Sequence, residues 1–440
     1  MAADPPRPFH LRDNFAPVDR EVTAVDLKVE GAIPRALRGL YLRNGPNPRQ
    51  PSNHWFNGDG MVHGVRIEDG RCAWYRNRWV QTRVLTEGAS LVTPEGTVDH
   101  TVAVANTNVI GHAGRIFALV ESSFPTELDR ELATRGICDF DGRLRTAMTA
   151  HPKPCPRTGE LHFFGYGFLP PWLTYHRLDA AGRLVRSEEI AVPGPTMIHD
   201  FALTDRHVVF MDLPVVFSFE RAMGGTFPFE WSDAHGARLG VMPRDGGNAD
   251  VRWFEIEPCY VFHPMNAWDT DAGVTLDVVR YRELWRGGPD SFTPARLHRW
   301  TIDLTAGRVT ERPLDDRPIE FPRIDERRTA GAYRYGYAVA NAGDVSREAT
   351  AVVKYDLARG TTAAHEFGAG RHPSEAVFVP GEGATAEDDG VLLCFVYDAA
   401  RDGSDFVVLD ARAPADPPLA TVRLPQRVPY GFHGNWIPAR

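Results

Sequence analysis

Apolar residues in this chain arrive in runs of four to six, and rarely in the three-to-four spacing of a helix. RIFALV at 115–120, HVVFM at 207–211, AVVKY at 351–355, VLLCFV at 391–396 and FVVL at 406–409 are β-branched or aromatic and are bounded by Gly, Asp or Pro. Runs of this kind read as strands. Turn signals stand between them: Asp141-Gly142, Asp179 through Gly182, Asp389-Gly390 and Asp402-Gly403. Gly (40) and Pro (35) are numerous and scattered rather than clustered, as many short turns require. One segment, 126–133, is predicted as a short helix. The chain is otherwise all-β.

A phrase recurs in which a strand ends near Asp, turns at Gly and starts again: TYHRLDAAGRL from Thr174, HRWTIDLTAGRV from His298 and VVKYDLARGTTA from Val352. These read as outer hairpins of repeated sheets. Regularly spaced short strands over 440 residues point to one β-propeller; the competing arrangement is two stacked β-sandwiches. Length alone would allow two or three domains, but no Ser/Gly run, charge block or low-complexity segment marks a linker, so residues 1–440 are expected to form a single domain.

The formal net charge is −9 and no block of Lys or Arg stands out, which excludes the electrostatic footprint of a nucleic-acid binder. Five separated cysteines with no C-x-x-C pair are expected to be reduced thiols of a cytoplasmic protein. The first fourteen residues, Met1 to Asn14, lack the apolar core of a signal peptide, and no run of 18 apolar residues exists.

Four of the 16 histidines share a setting. His151 (TAHPK), His199 (TMIHDF), His263 (YVFHPMN) and His433 (YGFHGNW) each end an apolar stretch beside Pro, Gly or Asp. Each imidazole is therefore expected at a strand end where the chain turns. In a propeller, inner strand ends converge on the axis, so four such ends can aim four imidazoles at one point. Imidazole suits Fe, Zn, Cu and Ni, and spacing does not choose among them.

At these phrases the chain resembles the carotenoid cleavage oxygenases, a family that includes apocarotenoid oxygenases, the isomerohydrolase of the retinal pigment epithelium and stilbene-cleaving enzymes. The resemblance runs through GLYLRNGPNP at 39–48, HWFNGDGMVHG at 54–64, ANTN at 105–108, the four histidine phrases, EFPRI at 320–324 and PSEAVFV at 373–379. It implies a seven-bladed β-propeller with a cap of loops and short helices. It implies that His151, His199, His263 and His433 hold one Fe(II) per chain on the axis. Glu121, Glu320 and Glu375 match the family's outer carboxylates, which accept the distal ring N–H of three ligands and fix their orientation. Thr107 matches a position beside the open side of the iron in some members; read locally, it is a strand-end threonine making its own hydrogen bond.

The implied reaction is cleavage of a conjugated C=C bond by O2 into two carbonyl products, with the substrate supplying all the electrons. Six-coordinate iron held by four imidazoles keeps two positions open for O2 and water. Two substrate classes compete. Long apolar carotenoids and apocarotenoids need a hydrophobic tunnel; short phenolic stilbenes and phenylpropenes need a polar handle. The stilbene and phenylpropene cleavers carry a lysine immediately before the residue matching Glu121, and here that residue is Val120. A buried lysine would be costly without a phenolate to pair with, so valine favours an apolar ligand. Lys153, two residues after His151, is the phenolic reading's remaining cation. The aromatic stretch 217–231, with Phe227, reads either as a tunnel mouth that dips into lipid or as a folded cap loop with core aromatics. The chain is somewhat short for the family, so a reduced cap is expected. The non-enzymatic alternatives are a propeller that only binds a carotenoid or a partner, and a redox-inactive structural metal. Four histidines without cysteine are unusual for structural zinc.

Overall fold

Burial along the strands explains why the sequence shows continuous apolar runs rather than alternation. In 391–396, Val391, Leu393 and Phe395 pack into one apolar cluster, and Leu392, Cys394 and Val396 into another. Alternate side chains point to opposite faces of a strand, so a strand buried on both faces must be apolar throughout. This is the condition of an inner strand in a sheet sandwiched between two neighbours.

The computed structural model describes residues 8–50, 52, 54–341 and 348–439. The first seven residues of the leading segment considered above lie outside them. Seven antiparallel sheets stand as the blades of a propeller. Blade 1 holds Thr23–Leu27, Gly39–Pro46, Gly60–Glu68 and Arg71–Trp79, with the C-terminal Gly434–Pro438 added at its inner edge. Blade 2 runs from Asn108–His112 to Thr134–Ile137, blade 3 from Lys153–Pro154 to Leu184–Glu189, and blade 4 from Phe201–Leu203 to Arg252–Glu255. Blade 5 runs from Tyr260–Asp269 to Arg308–Pro313, blade 6 from Ile319–Ile324 to Thr361–Glu366, and blade 7 from Arg371–Pro373 to Ala420–Arg423. Val29–Gly31 pairs with Ala420–Arg423 on blade 7. Both ends of the chain thus close the ring, one on blade 1 and one on blade 7.

Separate apolar clusters seal the interfaces. One joins blades 1 and 2, one joins 2 and 3, one joins 3 and 4, one runs through 4, 5 and 6, one joins 6 and 7, and one joins 7 back to 1. The three recurring phrases are outer hairpins of blades 3, 5 and 6, and each turns on a glycine with positive φ: Gly182 (79°), Gly307 (69°) and Gly360 (67°). L side chains disfavour that region, which is why glycine recurs there.

The short helix expected at 126–133 is not formed. Thr126–Leu128 is a strand paired with 116–118, and the rest is a turn. Asp129 decides this: its Oδ1 accepts from the backbone N–H of Glu131 (2.8 Å) and Ala133 (2.9 Å), competing with helical bonding.

Candidate metal centre

The four histidines meet. Their candidate ligand atoms lie within 4.8 Å of one another, and each residue is between 4% and 8% exposed. The Nε2 atoms of His199 and His263 approach to 3.2 Å. His151 leads into blade 3, His199 into blade 4 and His433 into the closing strand of blade 1. His263 differs from the strand-end expectation, for it sits inside Tyr260–Asp269. Pro264 follows it, and the register with the neighbouring strand shifts on both sides of Pro264. Proline cannot donate to the ladder, and a bulge there turns the strand so that one side chain reaches the axis.

Local bonds fix each approach. Thr149 Oγ1 accepts from the His151 N–H (3.1 Å) and donates to the His199 carbonyl (3.3 Å). Tyr260 donates to the Met197 carbonyl (3.0 Å), and the His433 N–H donates to the Thr107 carbonyl (3.0 Å). Thr107 Oγ1 bonds to Asn106 Oδ1 (3.0 Å), the local bond of the strand-end reading, while its carbonyl places it beside His433.

The three blades without a histidine each supply a carboxylate. Glu121 of blade 2 contacts Nδ1 of His199; Glu320 Oε2 of blade 6 accepts from Nδ1 of His263 at 2.6 Å; Glu375 Oε1 of blade 7 accepts from Nδ1 of His433 at 3.0 Å. The ring nitrogens that carry these bonds are thereby turned away from the shared centre, and Nε2 toward it. Partners that sequence reasoning missed hold the glutamates' other oxygens. Tyr166 donates to Glu121 Oε2 (2.6 Å), Tyr281 to Glu320 Oε1 (2.9 Å) and the Gly434 N–H to Glu375 Oε2 (2.8 Å). Arg323 lies 3.6 Å from Glu375. Nothing in the runs FFGY and VVRY marks their tyrosines; only the folded register brings them to the glutamates.

Charge follows geometry. Burial, then the neighbouring imidazoles, hold His151 well below the usual histidine range, in the neutral form a metal ligand needs. Burial likewise lowers His433 to about 4, against the pull of Glu375. Burial alone would raise Glu375, but Arg323 and His433 bring it to about 2, so it stays ionised. Burial, and then the adjacent carboxylates, raise the Tyr166 and Tyr281 hydroxyls well above the usual tyrosine range, which keeps them donors. His151 Nε2 is a buried polar atom without a hydrogen-bond partner, as expected of a nitrogen reserved for an ion. Burial alone would lower His263, but Glu320 outweighs it and raises this imidazole above the usual histidine range. Four convergent imidazoles, three of them backed by carboxylates, fit a dipositive metal.

Two regions flank the histidines. Before His263, Phe262 packs edge-on against His199 (centroids 4.9 Å) and touches Trp285 (6.0 Å), which meets Phe227 (4.6 Å). Phe227 stacks on His54 at 4.0 Å. The stretch 217–231 is a folded cap element: Val215–Phe217 pairs with Phe229–Trp231 around a short helix, Phe219–Met223. Phe219 (51%) and Met223 (88%) face outward. After His263, residues 264–267 line an axial cavity of about 160 Å³, with His151, Lys153, Asn108 and Arg323. Val120 is half-buried against the apolar core between blades 1 and 2. Lys153 is bound to Asp200 at 2.8 Å.

The family model described as retinal pigment epithelial membrane protein matches residues 15–438. A carotenoid cleavage oxygenase of Mycobacterium tuberculosis is 41% identical over 500 aligned positions, covering 100% of this chain and 99% of that protein. A carotenoid 9,10(9',10')-cleavage dioxygenase of Crocus sativus is 34% identical, covering 99% of this chain and 90% of that one. Among solved structures, the lignostilbene dioxygenase of Pseudomonas brassicacearum superposes with a TM-score of 0.89 at 33% identity, covering 99% of both chains. The cobalt-substituted ACO of Synechocystis superposes at 0.86 with 28% identity, covering 96% of this chain and 97% of that one. The fold, the ring of four histidines and these likenesses together place this chain in the carotenoid cleavage oxygenase family.

Proposed function

We propose that the protein is an Fe(II)-dependent dioxygenase that cleaves a conjugated C=C bond of a carotenoid or apocarotenoid with O2, giving two carbonyl products. The observation that carries this is the cluster of four buried imidazoles, three of them backed by glutamates. His151, His199, His263 and His433 would hold one iron per chain through Nε2. Bound there, iron supplies the open coordination and the electron transfer that O2 chemistry needs. The protein's part is placement. The glutamates offset the ion's charge and lock the rings. Phe262, edge-on against His199, with Trp285 and Phe227 packed in series behind it, forms an apolar wall on that side of the histidines that would exclude water and favour an apolar substrate. No protein group has to exchange a proton, because the substrate's own electrons reduce O2.

An apolar substrate is favoured by what the chain lacks. It has three lysines. Lys153 is bound to Asp200, Lys354 to Asp388, and Lys28 is exposed on an outer strand connection. None is a free cation for a phenolate. The outward Phe219 and Met223 fit a cap that rests on a lipid surface, from which such a substrate would enter. No helix among the described residues is long and apolar enough to cross a membrane.

The test is product analysis by mass spectrometry of the iron-loaded protein in air with an apocarotenal, β-carotene, resveratrol and isoeugenol. Two carbonyl fragments from a polyene are expected, with Val120→Lys slowing that cleavage. Rapid cleavage of resveratrol or isoeugenol with no polyene turnover would overturn the substrate assignment.

A further inference from the structure

Three of the four histidines have a carboxylate on Nδ1. The fourth does not, although one lies close. Asp200 is 2% exposed, and its Oδ2 is 3.9 Å from His151 Nδ1. Both of its oxygens are engaged elsewhere. Lys153 Nζ lies 2.8 Å from Oδ1 and 2.9 Å from Oδ2, and the Phe201 N–H lies 2.7 Å from Oδ1. Lys153 follows His151 by two residues and lines the axial cavity with it. Residues two apart on extended chain share a face, which returns the ammonium to the histidine's own side.

We propose that Lys153 is a positioning residue of the metal centre: by holding Asp200 it withholds from His151 the carboxylate partner that the other three histidines have. This rests on the four histidines being metal ligands. A carboxylate on the distal N–H raises the basicity of a ligand imidazole and tightens its grip on the metal. His151 is then the weakest of the four donors, and it is the one that borders the axial cavity. The charges agree with this arrangement. Lys153 offsets the charge of Asp200, while Arg323 lies 3.6 Å from Glu375 and pairs with Glu326 at 2.9 Å. Without the Lys153 charge the centre gains one negative unit, and Asp200 needs a shift of only about 1 Å to accept from His151.

Cobalt(II) serves as the probe, because it shifts the ligand N–H protons clear of the rest of the proton spectrum. Full-length protein loaded with cobalt should show three Nδ1–H resonances that exchange slowly with water and one that exchanges fast. In Lys153→Met the fourth should slow at least as far as the others, and release of cobalt to a chelator should slow about tenfold. Lys153→Arg should behave as the wild type. Lys153→Met/Asp200→Leu, which has no carboxylate to move, should restore the fast fourth resonance. If Met at 153 does not fold, Lys153→Gln is used, since its amide can satisfy only one Asp200 oxygen; the same slowing is expected. An unchanged fourth resonance in the single variant, or equal slowing in the double variant, would overturn the proposal. Failure of the wild type to take up cobalt would instead overturn the metal reading on which it rests.

Discussion

A glutamate that faces one of the four clustered imidazoles has two oxygens to satisfy, and only one can take the ring N–H. Tyr166 and Tyr281 take the second oxygen of Glu121 and Glu320. Replacing either tyrosine by phenylalanine leaves a buried carboxylate oxygen without its donor, a loss of about 1–3 kcal/mol. Tyr166→Phe and Tyr281→Phe are therefore expected to fold but to release metal to a chelator about tenfold faster. Wild-type release rates in both would show that the hydroxyls do not hold the glutamates. The glutamates themselves should be more sensitive: Glu121→Gln, Glu320→Gln or Glu375→Gln keeps an acceptor but loses the charge, and metal retention should fall by roughly 10–100-fold. The cysteines give a plain check on burial. All five are buried and unpaired, and burial pushes the thiols of Cys72, Cys259 and Cys394 up to about 12. These three are expected to resist a thiol reagent in the native protein at neutral pH and to react once it is unfolded.

Glycines act differently according to what surrounds them within an element. At Gly307 a Cβ would meet nothing within 4 Å, so Gly307→Ala carries only the cost of its left-handed backbone, about 1 kcal/mol, read as a lower denaturation midpoint at unchanged metal content. At Gly431 a Cβ would lie 2.8 Å from the Asn44 carbonyl oxygen and 2.8 Å from Gly45 Cα. Both are backbone atoms that cannot swing aside, and His433 is two residues on. Gly431→Ala is expected to lower metal content as well as stability. The cap helix Phe219–Met223 makes a separate prediction: Phe219→Glu with Met223→Glu should reduce cosedimentation with neutral phospholipid vesicles and leave cleavage of detergent-dispersed substrate intact. Equal cosedimentation would remove this helix from any lipid contact.

Closure is a property of the whole ring. Gly434–Pro438 completes blade 1 by pairing with Gly39–Pro46, and its Asn435 donates to Asn108 of blade 2 and accepts from Arg323 of blade 6. Every blade also provides one side chain to the centre, a histidine or a glutamate. A chain ending at His433 keeps all four histidines yet loses the strand that fixes the last one. It is expected to lose cooperative thermal unfolding, followed by circular dichroism, together with metal binding, rather than lose metal alone.

The strands, the outer hairpins with their glycines and the setting of the histidines were legible in the sequence, because each is a local matter; Glu121, Glu320 and Glu375 were singled out only by the family resemblance. A strand buried on both faces has to be apolar without a break, a left-handed turn favours glycine, and three of the four axial imidazoles sit where a strand begins or has ended, His263 being the one inside its strand. The segment 126–133 was misread because helix and strand periods cannot be told apart over eight residues, and one Asp129 side chain tipped the balance. What the tertiary structure alone decided is pairing across blades. Glu121 of blade 2 reaches past blade 3 to His199 of blade 4, Tyr166 and Tyr281 brace glutamates on other blades, and Lys153 claims the Asp200 that follows a different histidine. These pairs join residues 39 to 78 positions apart, and Asn435 of the closing strand meets Asn108 of blade 2 across 327 positions. No local propensity encodes them; they exist because ring closure brings seven inner strands to one axis, where each charged group must find its counterpart among those from other blades.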